Sequence, residues 1–351
     1  VVVVGTGFGT RVHVPAARAA GLEVLGVVGR DVDRARRRAE RAGVERAFGS
    51  VNDAVRDTGA EIVIVATPPA SHAGLAGEAI EAGCHVLVEK PFTTTVDDAR
   101  RLVELAAQAG VVALVGHEFR FAPPRATMAD ALARSVVGEP RIATFLRHLS
   151  FAAPLDLAAP SWWWDRARGG GWLGAAVSHV VDDLRCWLGE FESVSAALPL
   201  VSGRDTRSAE DCVSARFRMT NGCEGVLQDS AAVWGDSVEV VRVAGPAGTL
   251  TMTAHGVTLA DPTGVRTLAP AVAPLPDSPV SDDPRLRFSH LELGPAIVQA
   301  RALRELVAGE RRAGDAVRPA TFRDGLAGML VLDGLRRSAE GGGAVVAVEE
   351  S

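Results

Sequence analysis

Val1-Val2-Val3-Val4-Gly5-Thr6-Gly7-Phe8-Gly9-Thr10 is the stretch that decides the fold. The four β-branched residues read as a short buried strand, Gly5 to Gly9 as a tight turn, and the spacing from Val12 to Ala20 as a helix. Strand, glycine turn and helix in that order are the context in which a Gly-x-Gly pattern binds a dinucleotide. Gly5 permits the turn. Gly7 lets backbone amides approach a pyrophosphate at the helix N-terminus, where N–H groups and the helix dipole favour an anion. Thr10 replaces a third Gly or Ala and is still small enough for the helix to pack on the strand. Gly5, Gly7, Phe8 and Gly9 are therefore predicted to line a cofactor.

Outward from this turn, Leu22 to Val28 reads as a second strand, Asp31 to Ala42 as an Arg-rich helix, and Glu61 to Ala66 as a strand ending at Thr67-Pro68-Pro69. Helix Ala73 to Ala82, strand His85 to Val88, helix Val96 to Ala109 and strand Val111 to Val115 follow. Continuous apolar strands alternating with helices predict a parallel sheet covered on both faces. After Gly116 the pattern changes. Helix Arg125 to Arg134 leads into strand Arg141 to His148, a Pro- and Trp-rich loop, and helix Gly171 to Leu188. Val194 to Leu200, Cys212 to Met219, Glu224 to Ala232, Val238 to Ala244 and Thr249 to Thr253 have the period of two expected of antiparallel strands. Residues 262 to 284 read as a Pro-rich loop, and Leu291 to Ala308 and Thr321 to Ser338 as closing amphipathic helices. The predicted class is α/β: a dinucleotide-binding Rossmann domain over 1–118, then an α+β domain with an open, mostly antiparallel sheet over 119–351. The second domain is expected to bind substrate and form oligomers.

Composition narrows the partners. A hydrophobic content of 47% over 351 residues fills two cores. No apolar run reaches the roughly 18 to 20 residues of a membrane span. A net charge of -6 gives no long-range attraction for nucleic acid. The four cysteines form no CxxC pair, so a reducing cytoplasm is the expected location. Val1 already lies inside an apolar run with no Met before it, so further residues are expected to precede it. The eight histidines show no metal-ligand spacing, and no metal is predicted.

Of the 37 basic residues, 36 are Arg and one, Lys90, is Lys. Arg can supply a plain positive charge anywhere, but it keeps its proton to above about pH 12 and cannot serve as an acid or base near neutrality. Lys90 is therefore a candidate proton-handling group. At the end of the second strand an acidic residue would accept the ribose 2'-hydroxyl of NAD, yet the sequence there is Gly29-Arg30. Arg30 suits a 2'-phosphate, so NADP(H) is the preferred cofactor, while Asp31 one residue on leaves NAD(H) open.

Four motifs together resemble the Gfo/Idh/MocA family, which includes glucose-fructose oxidoreductase and inositol dehydrogenase. They are Gly5-x-Gly7, Thr67-Pro68-x-x-x-His72, Ala82-Gly83-x-His85-Val86-Leu87-Val88-Glu89-Lys90-Pro91, and Gly169-Gly170-Gly171 followed by His179-x-x-Asp182. The Glu-Lys-Pro block is the most specific. The resemblance implies that Thr67, Pro68, His72, Glu89 and Lys90 join the cofactor set, and that Lys90 and His179 are catalytic. It also implies that the Lys90–Pro91 peptide is cis. His117 and Arg120, in Gly116-His117-x-x-Arg120-Phe121-x-Pro123, either border the pocket or pack a hinge. Trp164, in a run of three Trp, can offer a sugar an apolar face. Asp182, three residues after His179, either orients the imidazole or pairs within the fold. One departure stands out: Ala175 occupies the position where the family commonly has an Asp one helical turn before His179.

The function these features imply is hydride transfer between a nicotinamide and a hydroxyl or carbonyl of a sugar, cyclitol or related polyol, with Lys90 and His179 handling the proton. A cofactor-binding regulator or sensor that does not turn over is the alternative, and Ala175 is the residue that favours it. An open sheet leaves an apolar face uncovered in a monomer, so a homodimer or homotetramer is expected. Analytical ultracentrifugation at micromolar concentration checks this: a monodisperse monomer contradicts it.

Overall fold

The computed structural model describes residues 1–157, 160–205, 207–276, 289–310 and 317–349. Its chain divides into two compact units, Val1–Ala122 with Pro274–Leu326, and Pro123–Ala273 with Ala327–Ser351. In the first, β1 (Val2–Val4), α1 (Val14–Ala19), β2 (Gly26–Val28), α2 (Val32–Arg41), β3 (Ala47–Phe48) and α3 (Val51–Thr58) are followed by β4 (Ile62–Val65), α4 (His72–Glu81), β5 (His85–Glu89), α5 (Val96–Ala109) and β6 (Ala113–Gly116). A π-helical turn, Gly9–His13, runs directly into α1. The six strands lie in the order β3-β2-β1-β4-β5-β6, and every pair is parallel. Strand order reverses at β1, the point at which open α/β sheets bind ligands beyond their carboxyl ends.

Local chemistry sets the element boundaries. Asp31, Ser50 and Thr95 each accept the N–H three residues on, from Arg34, Asp53 and Asp98, and so start α2, α3 and α5. Gly59 and Gly110 end α3 and α5 in the left-handed conformation. β1 and β4 are buried throughout, as the uninterrupted Val and Ile runs require.

The second unit contains α6 (Pro123–Ala133), β7 (Ile142–His148), α7 (Ser178–Leu188), β8 (Phe191–Ala197), β9 (Cys212–Met219), β10 (Glu224–Ser230) and β11 (Val238–Gly245). It continues with β12 (Gly248–Thr253), β13 (Gly256–Asp261), β14 (Gly264–Thr267) and β15 (Val346–Ala347). Its sheet runs β14-β13-β12-β11-β7-β10-β9-β8-β15, antiparallel at every pairing except β7 with β10. Alternation is plain in β9, where Val213, Ala215, Phe217 and Met219 are buried while Arg216 and Arg218 face out. On the outward face Ile142 is 59% and Val226 47% exposed. No helix among the described residues is long and apolar enough to cross a membrane.

Two more helices complete the chain, α8 (Ser289–Val307) and α9 (Phe322–Glu340). The contiguous division expected from sequence, 1–118 and 119–351, misses the return of residues 274–326 to the first unit. Packing explains the return: Ala296 and Ile297 of α8 sit on Val12 and Ala16, and Leu303 joins Val3, Val14, Leu87 and Leu114 in the core. β6 would otherwise expose an open edge. Instead the Val115 N–H donates to the Ala320 carbonyl at 2.9 Å, and Gln299 Nε2 donates to the Val115 carbonyl at 2.9 Å. Of the stretch expected to be loop, Gly264–Thr267 is strand β14, and 277–284 lies outside the described residues.

Asp324 ties this returning segment down. Its carboxylate accepts from Arg318 at 2.6 and 2.8 Å, from the Thr321 N–H and hydroxyl at 2.8 Å each, and faces Arg120 at 3.4 Å. Burial alone would raise its pKa; Arg318, Arg120 and Thr321 outweigh burial and hold it far below the carboxylate range. A depressed carboxyl stabilises above its unfolded pKa of about 3.9, and that contribution is lost as pH falls toward the folded value. Asp324→Ala is expected to cost about 3 kcal/mol in urea unfolding at pH 7. The gap to the unsubstituted protein should narrow below about pH 4.

Candidate active site

The three glycines of the first turn do different jobs. Gly5 has φ +122°, and a Cβ there would overlap the Ala66 carbonyl, so this glycine serves the fold itself. A Cβ on Gly9 would lie 2.9 Å from Val3 Cγ1, so Gly9 provides the close helix–strand approach expected of the third motif position. Thr10, which occupies that position, instead donates its hydroxyl to the Thr6 and Gly7 carbonyls at 3.1 and 3.3 Å. Gly7 differs from both: its φ is not positive, and no protein atom lies within 4 Å of its would-be Cβ. Neither conformation nor packing demands glycine there. A phosphate against the backbone would, so the loop has the space that a dinucleotide needs. The Phe8 ring packs with Val12, Ala16, Ala296 and Ile297 and meets His13 edge-on at 5.3 Å, so its side chain serves packing.

Arg30 follows β2 and is exposed. Asp31, its neighbour, uses a carboxylate oxygen to cap α2, accepting the Arg34 N–H at 2.9 Å. A Cβ on Gly29 would come within 2.9 Å of Thr6 Cγ2, which brings the end of β2 against the first turn.

At the end of β5 the Lys90–Pro91 peptide is cis. Glu89 is buried; its Oε1 lies 2.8 Å from His13 Nε2 and its Oε2 accepts the Lys90 N–H at 3.1 Å. Burial would raise the Glu89 carboxyl, but the hydrogen bond and charge of His13, with Lys90 and His72, hold it below its ordinary value. His72, grouped with the cofactor residues by sequence, is fully buried, with Nε2 2.7 Å from the Thr67 carbonyl and Nδ1 3.0 Å from the Pro91 carbonyl. Burial pushes its pKa down against the pull of those carbonyls. Its ring ties the loop after β4 to the loop after β5 and has no surface left for a ligand. Thr67 accepts the Ser71 hydroxyl at 2.8 Å, and Pro68 leads into the turn before α4.

Sequence reasoning missed three polar groups of this unit: His13, Glu118 and Glu292. Glu118 is buried, and its carboxyl is raised well above the ordinary value by burial and by Glu89 and Glu292, against the pull of Lys90. Burial likewise pushes Glu292 up to about 7, with Lys90 and Arg11 opposing. Lys90 thus stands in the field of Glu89, Glu118 and Glu292 together. His13 alone had a legible signal, a polar residue between Val12 and Val14 on an apolar helix. His117 and Arg120 are buried, and Arg120 engages Asp324 and the Arg318 carbonyl.

In the second unit His179 and Asp182 are both buried on α7. Asp183 pairs with Arg125 at 2.8 Å, and burial still pushes its carboxyl up to about 6. Ala175 lies one turn before His179 in a π-helical stretch, Leu173–Val177. With Phe151, Trp163, Trp164, Trp172 and Glu210 it lines a small cavity. Trp164 stacks under Arg204 at 4.1 Å, which occupies one face of its ring. A Cβ on Gly171 would overlap the Glu210 carboxylate, which accepts the Leu173 N–H at 3.2 Å. Among the described residues no group of three or more His, Cys, Asp or Glu could hold a metal.

Two family models match in sequence order: an oxidoreductase family with an NAD-binding Rossmann fold over residues 1–117, and the Gfo/Idh/MocA C-terminal domain over 126–251. The chain belongs to the Gfo/Idh/MocA family. Within that family it is 32% identical over 199 residues to an uncharacterized oxidoreductase of Synechocystis, covering 56% of this chain and 53% of the relative. It is 31% identical over 216 residues to the 1,5-anhydro-D-fructose reductase of Ensifer adhaerens, covering 61% of this chain and 64% of the relative. The chain thus matches about half to two thirds of the length of these relatives. Levoglucosan dehydrogenase, solved with NADH and levoglucosan, shares the fold at a TM-score of 0.84, with 20% identity and 99% of each chain covered.

Gly7→Ala should leave the melting temperature unchanged or slightly higher, since the backbone there is not left-handed and a Cβ meets no neighbouring atom. Dinucleotide affinity, measured by fluorescence titration, should fall at least about tenfold. Unchanged affinity would show that no phosphate lies against Gly7.

Proposed function

We propose that this chain is an NAD(P)-dependent oxidoreductase that moves a hydride between a nicotinamide and a hydroxyl-bearing carbon of a sugar, cyclitol or related polyol. NADP(H) is the preferred cofactor. The observation that carries the reading is the setting of the chain's single lysine: Lys90 follows β5, its backbone is held by a buried carboxylate, and that carboxylate is bound in turn to the helix of the glycine-rich turn. Relatives named for a reductase and dehydrogenases of sugars and inositol support the substrate class.

A bound nicotinamide would accept or deliver the hydride. Gly5, Gly7 and Gly9 shape the turn that would take the pyrophosphate, and Thr67 and Pro68 border the next strand end. Oxidising a secondary alcohol also removes a proton from oxygen. Lys90 would hydrogen-bond that oxygen and take or return the proton, with His179 as the second proton-handling group. The carboxylates around Lys90 differ: Glu89 is held below its ordinary value although burial opposes this, whereas burial raises Glu118 and Glu292 against the pull of the Lys90 charge. Arg30 supports the preference for NADP(H), because Asp31, the alternative NAD contact, is committed to capping α2.

A second reading, a dinucleotide-binding regulator, is favoured by Ala175, an alkyl side chain at the position where the family resemblance implies a carboxylate. Nicotinamide absorbance with a panel of sugars and polyols separates the two. Turnover that falls at least about 100-fold in Lys90→Met supports the enzyme, whereas cofactor binding with no turnover across the panel supports the regulator. In the same preparation Arg30→Ala should weaken NADPH binding about tenfold while leaving NADH nearly unchanged. An equal loss for both cofactors would remove Arg30 from 2'-phosphate recognition.

A further inference from the structure

Glu89 divides its two oxygens between different parts of the chain. Oε1 faces His13 Nε2 at 2.8 Å, and His13 belongs to the helical run that begins at the glycine turn. Oε2 accepts the backbone N–H of Lys90 at 3.1 Å. On a third side the carboxylate lies against Gly116 at the end of β6, where a Cβ would come within 2.9 Å of Oε1. The group therefore has little room to swing away from the other two contacts. Beyond Lys90, the Pro91 carbonyl meets the His72 ring at 3.0 Å, so the turn is anchored on both sides of its reactive residue.

His13 is 2% exposed and flanked by Val12 and Val14, a place that an apolar side chain would fill without any need for a partner. An imidazole there must be paired to be tolerated, and its partner is the carboxylate that holds Lys90. We propose that His13 is a positioning residue for Lys90, acting through Glu89, so that the helix behind the dinucleotide turn and the reactive turn are held as one piece. This rests on the reading of Lys90 as the proton-handling group. Loss of His13 leaves a buried carboxylate oxygen without its donor; the carboxyl shifts within its narrow space or takes up a proton, and its hold on the Lys90 amide weakens.

The chain's one lysine makes the test direct. Reductive methylation with ¹³C-formaldehyde labels Lys90 and the α-amine only, and NMR then reads the Lys90 methyl signal without any need for turnover. Relative to the unsubstituted protein, His13→Leu should move the titration midpoint of that signal by about half a pH unit or more and reduce the shift produced by NADPH. His13→Gln, whose amide can donate to the same oxygen, should restore both. His13→Asn, too short to reach, should behave as Leu does and replaces it if the Leu variant does not fold. A fallen melting temperature with an unmoved Lys90 signal in the Leu or Asn variant would mean that the pair only stabilises the fold, and would overturn the proposal. So would a Gln variant that is as altered as Asn. Absence of turnover across the sugar and polyol panel counts against the enzymatic reading alone, because the lysine signal reports on positioning whether or not a substrate is found.

Discussion

A carboxylate buried in a protein interior stays charged only if hydrogen bonds and opposite charge replace the water it has lost. Glu89 meets that condition with His13 on one oxygen and the Lys90 amide on the other, and in doing so joins three strand ends of the parallel sheet. The geometry of the site depends on this arrangement. β1 delivers the glycine turn and the helix bearing His13, β5 delivers Glu89 and Lys90, and β6 delivers the glycine against which the carboxylate rests. Parallel strands place all three ends on one side of the sheet, which no antiparallel meander of the same residues would do.

Much of this could be read from the chain itself. Uninterrupted Val and Ile runs announced the parallel strands, and period-two alternation announced the open sheet, because each pattern follows directly from which faces are buried. The shortest elements, β3 and β15, gave no signal, since two residues cannot display a period. β13 and β14 were missed for another reason: Gly and Pro around them read as loop, although hairpin turns use the same residues. At the site, Lys90 was legible from composition. Glu118 and Glu292 were not, because a carboxylate looks the same in sequence whether solvated or buried. His72 was legible as a motif residue, yet its task of joining two loops depends on contacts far apart in the chain.

The glycines show how a motif resolves into separate physical demands. Gly5 answers to a neighbouring carbonyl, Gly9 to a valine methyl, and Gly7 to nothing within the protein. A pattern of three similar residues thus contains two that any tight strand-to-helix turn of this shape would need and one that points to a ligand. Gly74 and Gly328, inside α4 and α9, are equally free of internal constraint, so it is the place of Gly7 in the strand-to-helix turn that gives its freedom meaning.

The described residues of 274–326 pack with the first unit although the chain leaves that unit after Ala122. The chain thus passes back and forth between the two units, and this sets an order for assembly during synthesis. The amide of Val115 has no strand-edge partner until Ala320 has been made, and the surface that receives Leu303 stays bare for nearly as long. The part of the chain that is translated first is the part whose structure is completed late. A nascent Rossmann sheet in this protein must wait with one edge open while β7 to β14 of the other sheet are laid down, and only β15 is made later.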